Sequence, residues 1–257
     1  MTPFTGVGVA LLTLFDADGS LLVQETADHA RRLVERGVRS ITLAGTTGEA
    51  AFLTLEERVR LCEATRVAVG DTAAVIVGTG DPEQTRAVEM TAAAGAAGAD
   101  AVLVLSPAGS CDPRTYYEAV AGAAGSMPVI AYHFPAVSAP GIPVELLEDL
   151  PVAGLKDSSG DAERLVAELD AFAGALYVGS AAYLALAGPL GAAGAILALA
   201  NVEPELCEAA FSGDLGAQRE LIPIHLELRS EFPGSLKRRL AAGAGTPVAV
   251  RTARPAG

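Results

Sequence analysis

Short apolar runs alternate with amphipathic stretches along almost the whole chain. Residues 6–15 (Gly-Val-Gly-Val-Ala-Leu-Leu-Thr-Leu-Phe) read as a strand, and residues 25–36 as an amphipathic helix ending at Gly37. Residues 38–44 form the next strand candidate. Thr54 then caps a helix, with Glu57 three residues on completing a capping box. Residues 73–78 are apolar, and Asp81-Pro82 opens a further helix with Pro at its first position. The same strand-then-helix pattern recurs at 100–105, 128–132, 152–156, 175–178 and 195–199. Nearly continuous apolar runs of this length suit strands buried on both faces, which is the habit of parallel sheets. Eight such units predict an α/β fold of the closed (β/α)8 TIM-barrel kind, since a doubly wound sheet usually has fewer strands. Residues 214–242 look helical and lie beyond the eighth unit. The expected organisation is a barrel over 1–212 and a short C-terminal helical extension and tail over 213–257. From Gly243, through Thr246-Pro247 to Arg254-Pro255-Ala256-Gly257, no period is visible, and this tail is expected to be mobile.

Composition narrows the partners. Of 257 residues, 18 are basic and 31 acidic, a net charge of −13. That balance argues against nucleic acid and against anionic membrane surfaces, while leaving room for a locally positive site that takes a small anion. Cys62, Cys111 and Cys207 are odd in number, far apart and without a CxxC pair, so neither a disulfide framework nor a metal site is expected. The N-terminus has no basic segment of the signal-peptide kind, and every apolar stretch is broken before membrane-spanning length. A cytoplasmic protein is the expectation.

Chemistry enters with Lys156, the only lysine before residue 237. It ends the apolar run Val152-Ala153-Gly154-Leu155 and is followed by Asp157-Ser158-Ser159-Gly160-Asp161. A lysine at a strand end is most often a surface group. At the mouth of a buried strand, however, an amine is desolvated and its charged form disfavoured. A neutral amine is a nucleophile for the carbonyl carbon of a keto acid, which makes Lys156 the candidate Schiff-base residue. Ser158, two residues on, is expected to share its side; Asp157 is expected to face away. Asp157, Asp161 and Glu163 read as charges favouring the next helix N-terminus.

In a barrel the chemistry gathers at the C-terminal ends of the strands. The second strand ends in Gly45-Thr46-Thr47-Gly48-Glu49, a turn whose N–H groups can converge on one anion, with the positive end of the following helix behind them. The alternative is an ordinary capped βα turn. The fifth strand ends in Tyr132-His133-Phe134-Pro135, and a phenol there can move the protons that Schiff-base chemistry requires. For a lone tyrosine, a hydrated rim position is the simpler reading. His133 should point away from the Tyr132 side by strand alternation and be structural.

Together these motifs resemble the dihydrodipicolinate synthase / N-acetylneuraminate lyase superfamily of pyruvate-dependent class I lyases, from about residue 5 to residue 240. The resemblance rests on Gly45-Thr46-Thr47-Gly48-Glu49, on Tyr132 with Pro135, and on Gly154-Leu155-Lys156-Asp157. Gly179-Ser180 and Gly194-Ala195-Ile196 through Ala200-Asn201-Val202 add to it. It implies an imine between Lys156 and pyruvate or another 2-keto acid, and a carboxylate held by Gly45 and the Thr46 and Thr47 amides. It also implies acid–base work by Tyr132 with the Thr46 or Thr47 hydroxyl, and Ser158, Gly179 and Ile196 against the substrate. The second substrate would be an aldehyde. No metal or organic cofactor is implied, and the chain would be a homo-oligomer, dimer or tetramer.

Departures from the family pattern steer the substrate. Val137 stands where the lysine-precursor synthases carry a carboxylate-gripping arginine, and valine cannot make that bidentate contact. Pro107-Ala108-Gly109-Ser110 replaces the family's tyrosine pair after the fourth strand; Tyr116 and Tyr117 fall later, on a helix. Lys156-Asp157-Ser158, Gly179-Ser180-Ala181 and the run 198–201 lean towards 4-hydroxy-2-oxoglutarate and keto-deoxy-sugar-acid aldolases. The alternatives are 4-hydroxy-tetrahydrodipicolinate synthase and, from another class, a pyruvyl-binding barrel with little turnover. A phosphate-handling barrel is disfavoured, because the loops after strands seven and eight lack a glycine-rich pattern. The chain is shorter than most of that family and is expected to lack about the last helix of the extension, which bears on the tetramer.

Overall fold

The computed structural model of the protein describes residues 2–251. Eight parallel strands close into a barrel in simple sequence order. The elements run β1 (Gly6–Ala10), α1 (Val23–Glu35), β2 (Ser40–Leu43), α2 (Leu55–Val69), β3 (Ala74–Gly78), α3 (Gln84–Ala96), β4 (Ala101–Leu105) and α4 (Arg114–Ala124). They continue with β5 (Val129–His133), β6 (Gly154–Asp157), α5 (Ala162–Ala171), β7 (Ala175–Val178), α6 (Leu184–Leu190), β8 (Gly194–Leu197) and α7 (Pro204–Phe211). Two further helices follow, α8 (Leu215–Leu228) and α9 (Gly234–Ala244).

Several boundaries differ from the pattern reading, each for a local reason. The first strand stops at Ala10 rather than Phe15. Beyond Leu11 the backbone turns to side chains: Leu12 N–H donates to Asn201 Oδ1 (3.0 Å) and Leu14 N–H to Thr26 Oγ1 (3.1 Å). The fifth unit has no α-helix; Val144–Asp149 forms a 3-10 turn instead. Pro135, Pro140 and Pro143 remove backbone donors from that segment, so an α-helix cannot propagate through it. Pro82 does not open α3. The Glu83 amide is bound by Asp81 Oδ1 (3.0 Å), and the helix begins at Gln84. Residues 214–242 are helical as read, in two helices separated between Leu228 and Gly234. The Thr54–Glu57 capping box forms as read, with both reciprocal hydrogen bonds in place (3.2 and 3.0 Å).

The tail is also corrected as far as it is described. Arg251 is buried (7% exposed) and tied to the barrel, so the segment does not hang free from Gly243. Residues 254–257 lie outside the described residues.

Burial follows strand alternation. One apolar cluster fills the layer between barrel and helices. A smaller one, with Ile76, Leu103, Ile130, Tyr177 and Ile196, fills the barrel interior. At its N-terminal end the Phe4 ring stacks on Tyr177 (centroids 4.5 Å apart), whose hydroxyl donates to Phe4 O (2.9 Å). With that end of the interior plugged, the barrel opens as a cleft at the C-terminal ends of the strands. Among the described residues no helix is long and apolar enough to cross a membrane.

Candidate active site

That space is a cleft of about 490 Å³ over the ends of β5, β6, β7 and β8. Lys156 is at its floor. The residue is 4% exposed, and its in-register neighbours on β5 and β7 are Tyr132 and Tyr177. Its Nζ sits 4.4 Å from the centre of the Tyr132 ring. No carboxylate among the described residues pairs with it, and burial lowers its pKa to about 7. Desolvation alone makes this amine a nucleophile near neutrality.

Tyr132 is 5% exposed, and its hydroxyl shares hydrogen bonds with the Ser158 and Thr46 side chains. Burial raises its pKa while those two bonds pull the other way, so at neutral pH it is a phenol with a proton to give. A lone rim tyrosine in water is thus not what the fold makes of it. Ser158 is on the Lys156 side of the chain, as alternation requires, and its N–H donates to His133 O (2.9 Å).

The loop after β2 places both threonines at the cleft. Its later amides are committed to the turn itself: Gly48 N–H donates to Gly45 O, Glu49 N–H to Thr46 O and Ala50 N–H to Gly45 O (3.0–3.2 Å). The Thr46 and Thr47 amides have no acceptor among the described residues, so two N–H groups stay available to an anion. Gly45 is not a lining residue; its part is to close the turn. A Cβ on Gly48 would stand 2.9 Å from Leu11 O, which fixes glycine there. One expectation fails: no α-helix backs this cradle. A three-residue 3-10 turn (Ala50–Phe52) follows, and α2 starts only after Thr54. An anion at this turn would meet individual amides rather than a helix dipole.

Gly179 and Ile196 both line the cleft. A Cβ on Gly179 would fall 1.9 Å from Ser158 Oγ and 3.0 Å from Lys156 Cε. Glycine is therefore required for the serine and the lysine to stand side by side. Ile196, fully buried on β8, gives the floor an apolar patch.

The outward-facing expectations hold for His133 and Asp157. His133 Nδ1 accepts from Ile142 N–H (2.9 Å), and burial with Arg164 nearby lowers its pKa to about 4. Asp157 does not act as a helix cap. It is fully buried behind the strand, accepts from Ser159 N–H (2.6 Å) and faces Arg164, while Asp161 caps α5. Tyr116 and Tyr117 stay away from the cleft, with hydroxyls bound to Asp81 O and Val104 O (both 2.9 Å). All three cysteines are free thiols. No group of three His, Cys, Asp or Glu among the described residues is placed to hold a metal ion.

The pattern reading missed the roof. Helix α8 and the turn after it bring His225, Leu228, Arg229, Phe232 and, from α9, Leu236 to the cleft. It also missed how the threonine loop is clamped. Lys237, fully buried on α9, places Nζ 2.5 Å from Glu49 Oε1 and 2.6 Å from Ala249 O. The Arg251 N–H donates to the other Glu49 oxygen (2.7 Å), and its guanidinium pairs with Glu57 (2.7 and 2.9 Å). The ring of Phe15 underlies both cations. Glu49 itself adopts a left-handed conformation (φ 58°) that a non-glycine residue keeps only when its surroundings hold it. The sequence signal was the second lysine of a lysine-poor chain, but nothing local tied it to residue 49. Lys237→Met removes one partner of this buried pair and leaves the Glu49 charge uncompensated. It should lower stability by about 3–5 kcal/mol, read as a shift in the urea unfolding midpoint. An unchanged midpoint would show that the clamp contributes nothing.

Comparison with known proteins agrees with this architecture. The model of the dihydrodipicolinate synthetase family matches residues 3–237. A 4-hydroxy-tetrahydrodipicolinate synthase of Synechococcus sp. is 37% identical over 174 residues, covering 65% of this chain and only 58% of that protein's length. A protein of the same name, numbered 1, from Streptomyces coelicolor is 34% identical over 261 residues, covering 95% of this chain and 82% of its own. Among solved structures, the chloride-inhibited dihydrodipicolinate synthase of Acinetobacter baumannii, complexed with pyruvate, superposes with a TM-score of 0.89 at 27% identity, covering 97% of this chain and 92% of that one.

Proposed function

The chain belongs to the dihydrodipicolinate synthetase family of carbon–carbon lyases, and from that premise we propose that it is a pyruvate-dependent class I aldolase working through an imine on Lys156. The observation that carries this reading is a buried, unpaired amine with a pKa near 7 beside a phenol held by two hydroxyls. The pyruvate complex of the Acinetobacter relative supports it.

The steps follow from the groups present. A keto-acid carboxylate is held by the Thr46 and Thr47 amides, which sets C2 against Lys156 Nζ. The neutral amine adds to C2, and the carbinolamine loses its hydroxyl as water with Tyr132 supplying the proton. The protonated imine then draws an electron pair from a bond at C3, which becomes the C2=C3 bond of the enamine as the iminium pair moves to nitrogen. In the cleavage direction the C3–C4 bond supplies that pair and an aldehyde leaves, while in the synthetic direction a C3 proton leaves and the enamine attacks an aldehyde. The Tyr132 phenolate takes the C4 hydroxyl proton in cleavage or returns it in synthesis. Ser158 and Thr46 hold the phenol and pass its proton onward.

For the acceptor, the reading is a 4-hydroxy-2-oxoglutarate or keto-deoxy-sugar-acid aldolase. Val137, exposed in the proline-rich loop after β5, stands where the synthases carry a carboxylate-gripping arginine, so a distal carboxylate is not held from that loop. A second reading, 4-hydroxy-tetrahydrodipicolinate synthase, is favoured by the names of the Synechococcus and Streptomyces relatives. A direct rate comparison separates the two. Pyruvate release from 4-hydroxy-2-oxoglutarate and from keto-deoxy-sugar acids is set against condensation of pyruvate with aspartate semialdehyde. The aldolase reading expects pyruvate release to be faster by at least about tenfold, roughly 1.4 kcal/mol of transition-state preference. Faster condensation would replace it with the synthase.

A further inference from the structure

The cleft is an electropositive enclosure in an acidic protein. Of 31 acidic residues in the chain, none among the described residues lines it. The charged side chains that do are Lys156 at the floor and Arg229 at the rim, with the imidazole of His225 one helical turn before the arginine. Arg229 caps the C-terminus of α8 with helical backbone, and residues four apart on such a turn share a face, so both nitrogen-bearing groups reach the same opening.

Arg229 is uncommitted in a chain where most cations are paired. Its acidic neighbours in sequence are bound to other arginines: Glu227 to Arg239 (3.6 Å) and Glu231 to Arg238 (2.5 Å). The Arg229 backbone N–H donates to Leu226 O (3.4 Å), but neither a carboxylate nor a backbone carbonyl among the described residues accepts from its guanidinium. His225 is half-buried, and burial together with the nearby Arg229 lowers its pKa. A neutral imidazole beside a fixed guanidinium can donate to an anion without adding a second charge to desolvate. Leu228 and Leu236 are buried apolar residues lining the same cleft, whereas Phe232 and Arg229 are exposed at its mouth, so the guanidinium is free to turn onto an anion that enters.

We propose that Arg229 and His225 form a second anion subsite that recognises a carboxylate or phosphate at the aldehyde-derived end of the substrate. Resting on the imine reading, this deepens it: the floor takes the keto-acid carboxylate through the Thr46 and Thr47 amides, and the roof takes a distal anion. The cation that Val137 does not supply from the loop after β5 comes instead from α8. The preferred substrates are therefore dianions, and a neutral aldehyde of the same length is a poor partner.

The test measures binding as well as turnover, on wild type, Arg229→Ala, Arg229→Lys and His225→Ala. One arm compares the dissociation constants of 2-oxoglutarate and 2-oxopentanoate, which share a chain length and differ in the distal carboxylate. The other compares glyceraldehyde 3-phosphate with glyceraldehyde. The expected result is a wild-type preference for the charged member of at least one pair. That preference should fall about tenfold or more in Arg229→Ala, as loss of a charge-assisted hydrogen bond implies, and survive in part in Arg229→Lys. The arm that responds identifies the anion. No preference in wild type, or a preference untouched by Arg229→Ala, overturns the subsite. Borohydride trapping with pyruvate is run alongside. No adduct on wild type, with an Arg229-dependent preference intact, would sink the imine reading and leave the subsite standing.

Discussion

Lys156→Ala yields no pyruvyl adduct after borohydride reduction, and its turnover falls by on the order of 10⁴–10⁶-fold, the scale seen when a covalent nucleophile is removed. The expectation follows from what the barrel does to this amine. An ordinary lysine has a pKa of 10.5, so at pH 7 about one molecule in 3,000 carries the neutral form. Burial moves the value to about 7, which leaves about half of the molecules ready to attack. The sign of the pH dependence is fixed by the same shift. Imine formation in wild type should rise as pH increases through about 7 and level off above it, because the reactive species is the deprotonated amine. A profile still climbing steeply towards pH 10 would mean that the amine is not desolvated in solution. Intact mass resolves the adduct, and Lys156→Met, which fills the volume without the amine, guards against a collapse of the site. An adduct on either variant would remove Lys156 from the mechanism.

Tyr132→Phe should lower kcat by about 10²–10⁴-fold, the usual contribution of a positioned general acid–base group, with a much smaller change in the KM for pyruvate. The substitution is selective because the ring stays. Lys156 Nζ keeps its aromatic neighbour at 4.4 Å, and the stacking of Tyr132 on Phe134 (centroids 5.8 Å) is retained. What is lost is the hydroxyl between Ser158 and Thr46. In the proposed mechanism the threonine amides hold the keto acid, and the change does not touch them, so the deficit is expected to fall on proton transfer at the carbinolamine. Single-turnover trapping locates it: imine formation slows in step with kcat. An unchanged kcat would take Tyr132 out of the reaction. A matched rise in KM would make it a binding group instead.

Much of this site could be seen before any coordinates. Strand order and period placed Lys156, Tyr132 and Thr46–Thr47 at the C-terminal ends of the sixth, fifth and second strands of one barrel. The two-residue alternation correctly put Ser158 beside Lys156 and turned His133 and Asp157 outward. Alternation is a local property of extended backbone, so it needs no knowledge of partners. The failures share a different cause. The proline-rich segment 135–143 broke the βα rhythm, the 3-10 turn at Ala50–Phe52 removed the expected helix from behind the cradle, and tertiary hydrogen bonds ended the first strand early.

The sequence by itself determined the barrel, the order of the catalytic candidates around its rim and the isolation of one amine in a lysine-poor chain. Each of these rests on periodicity or on the chemistry of single residue types. Only the tertiary structure decided the degree of desolvation at Lys156, the hydroxyl pair on Tyr132 and the clamp of Lys237 and Arg251 on Glu49. It alone also decided the roof that carries His225 and Arg229. These are contacts between segments up to two hundred residues apart, such as Glu49 with Arg251. Their energies depend on burial and distance, which no local pattern encodes, because a charge is cheap in water and costly in an apolar enclosure.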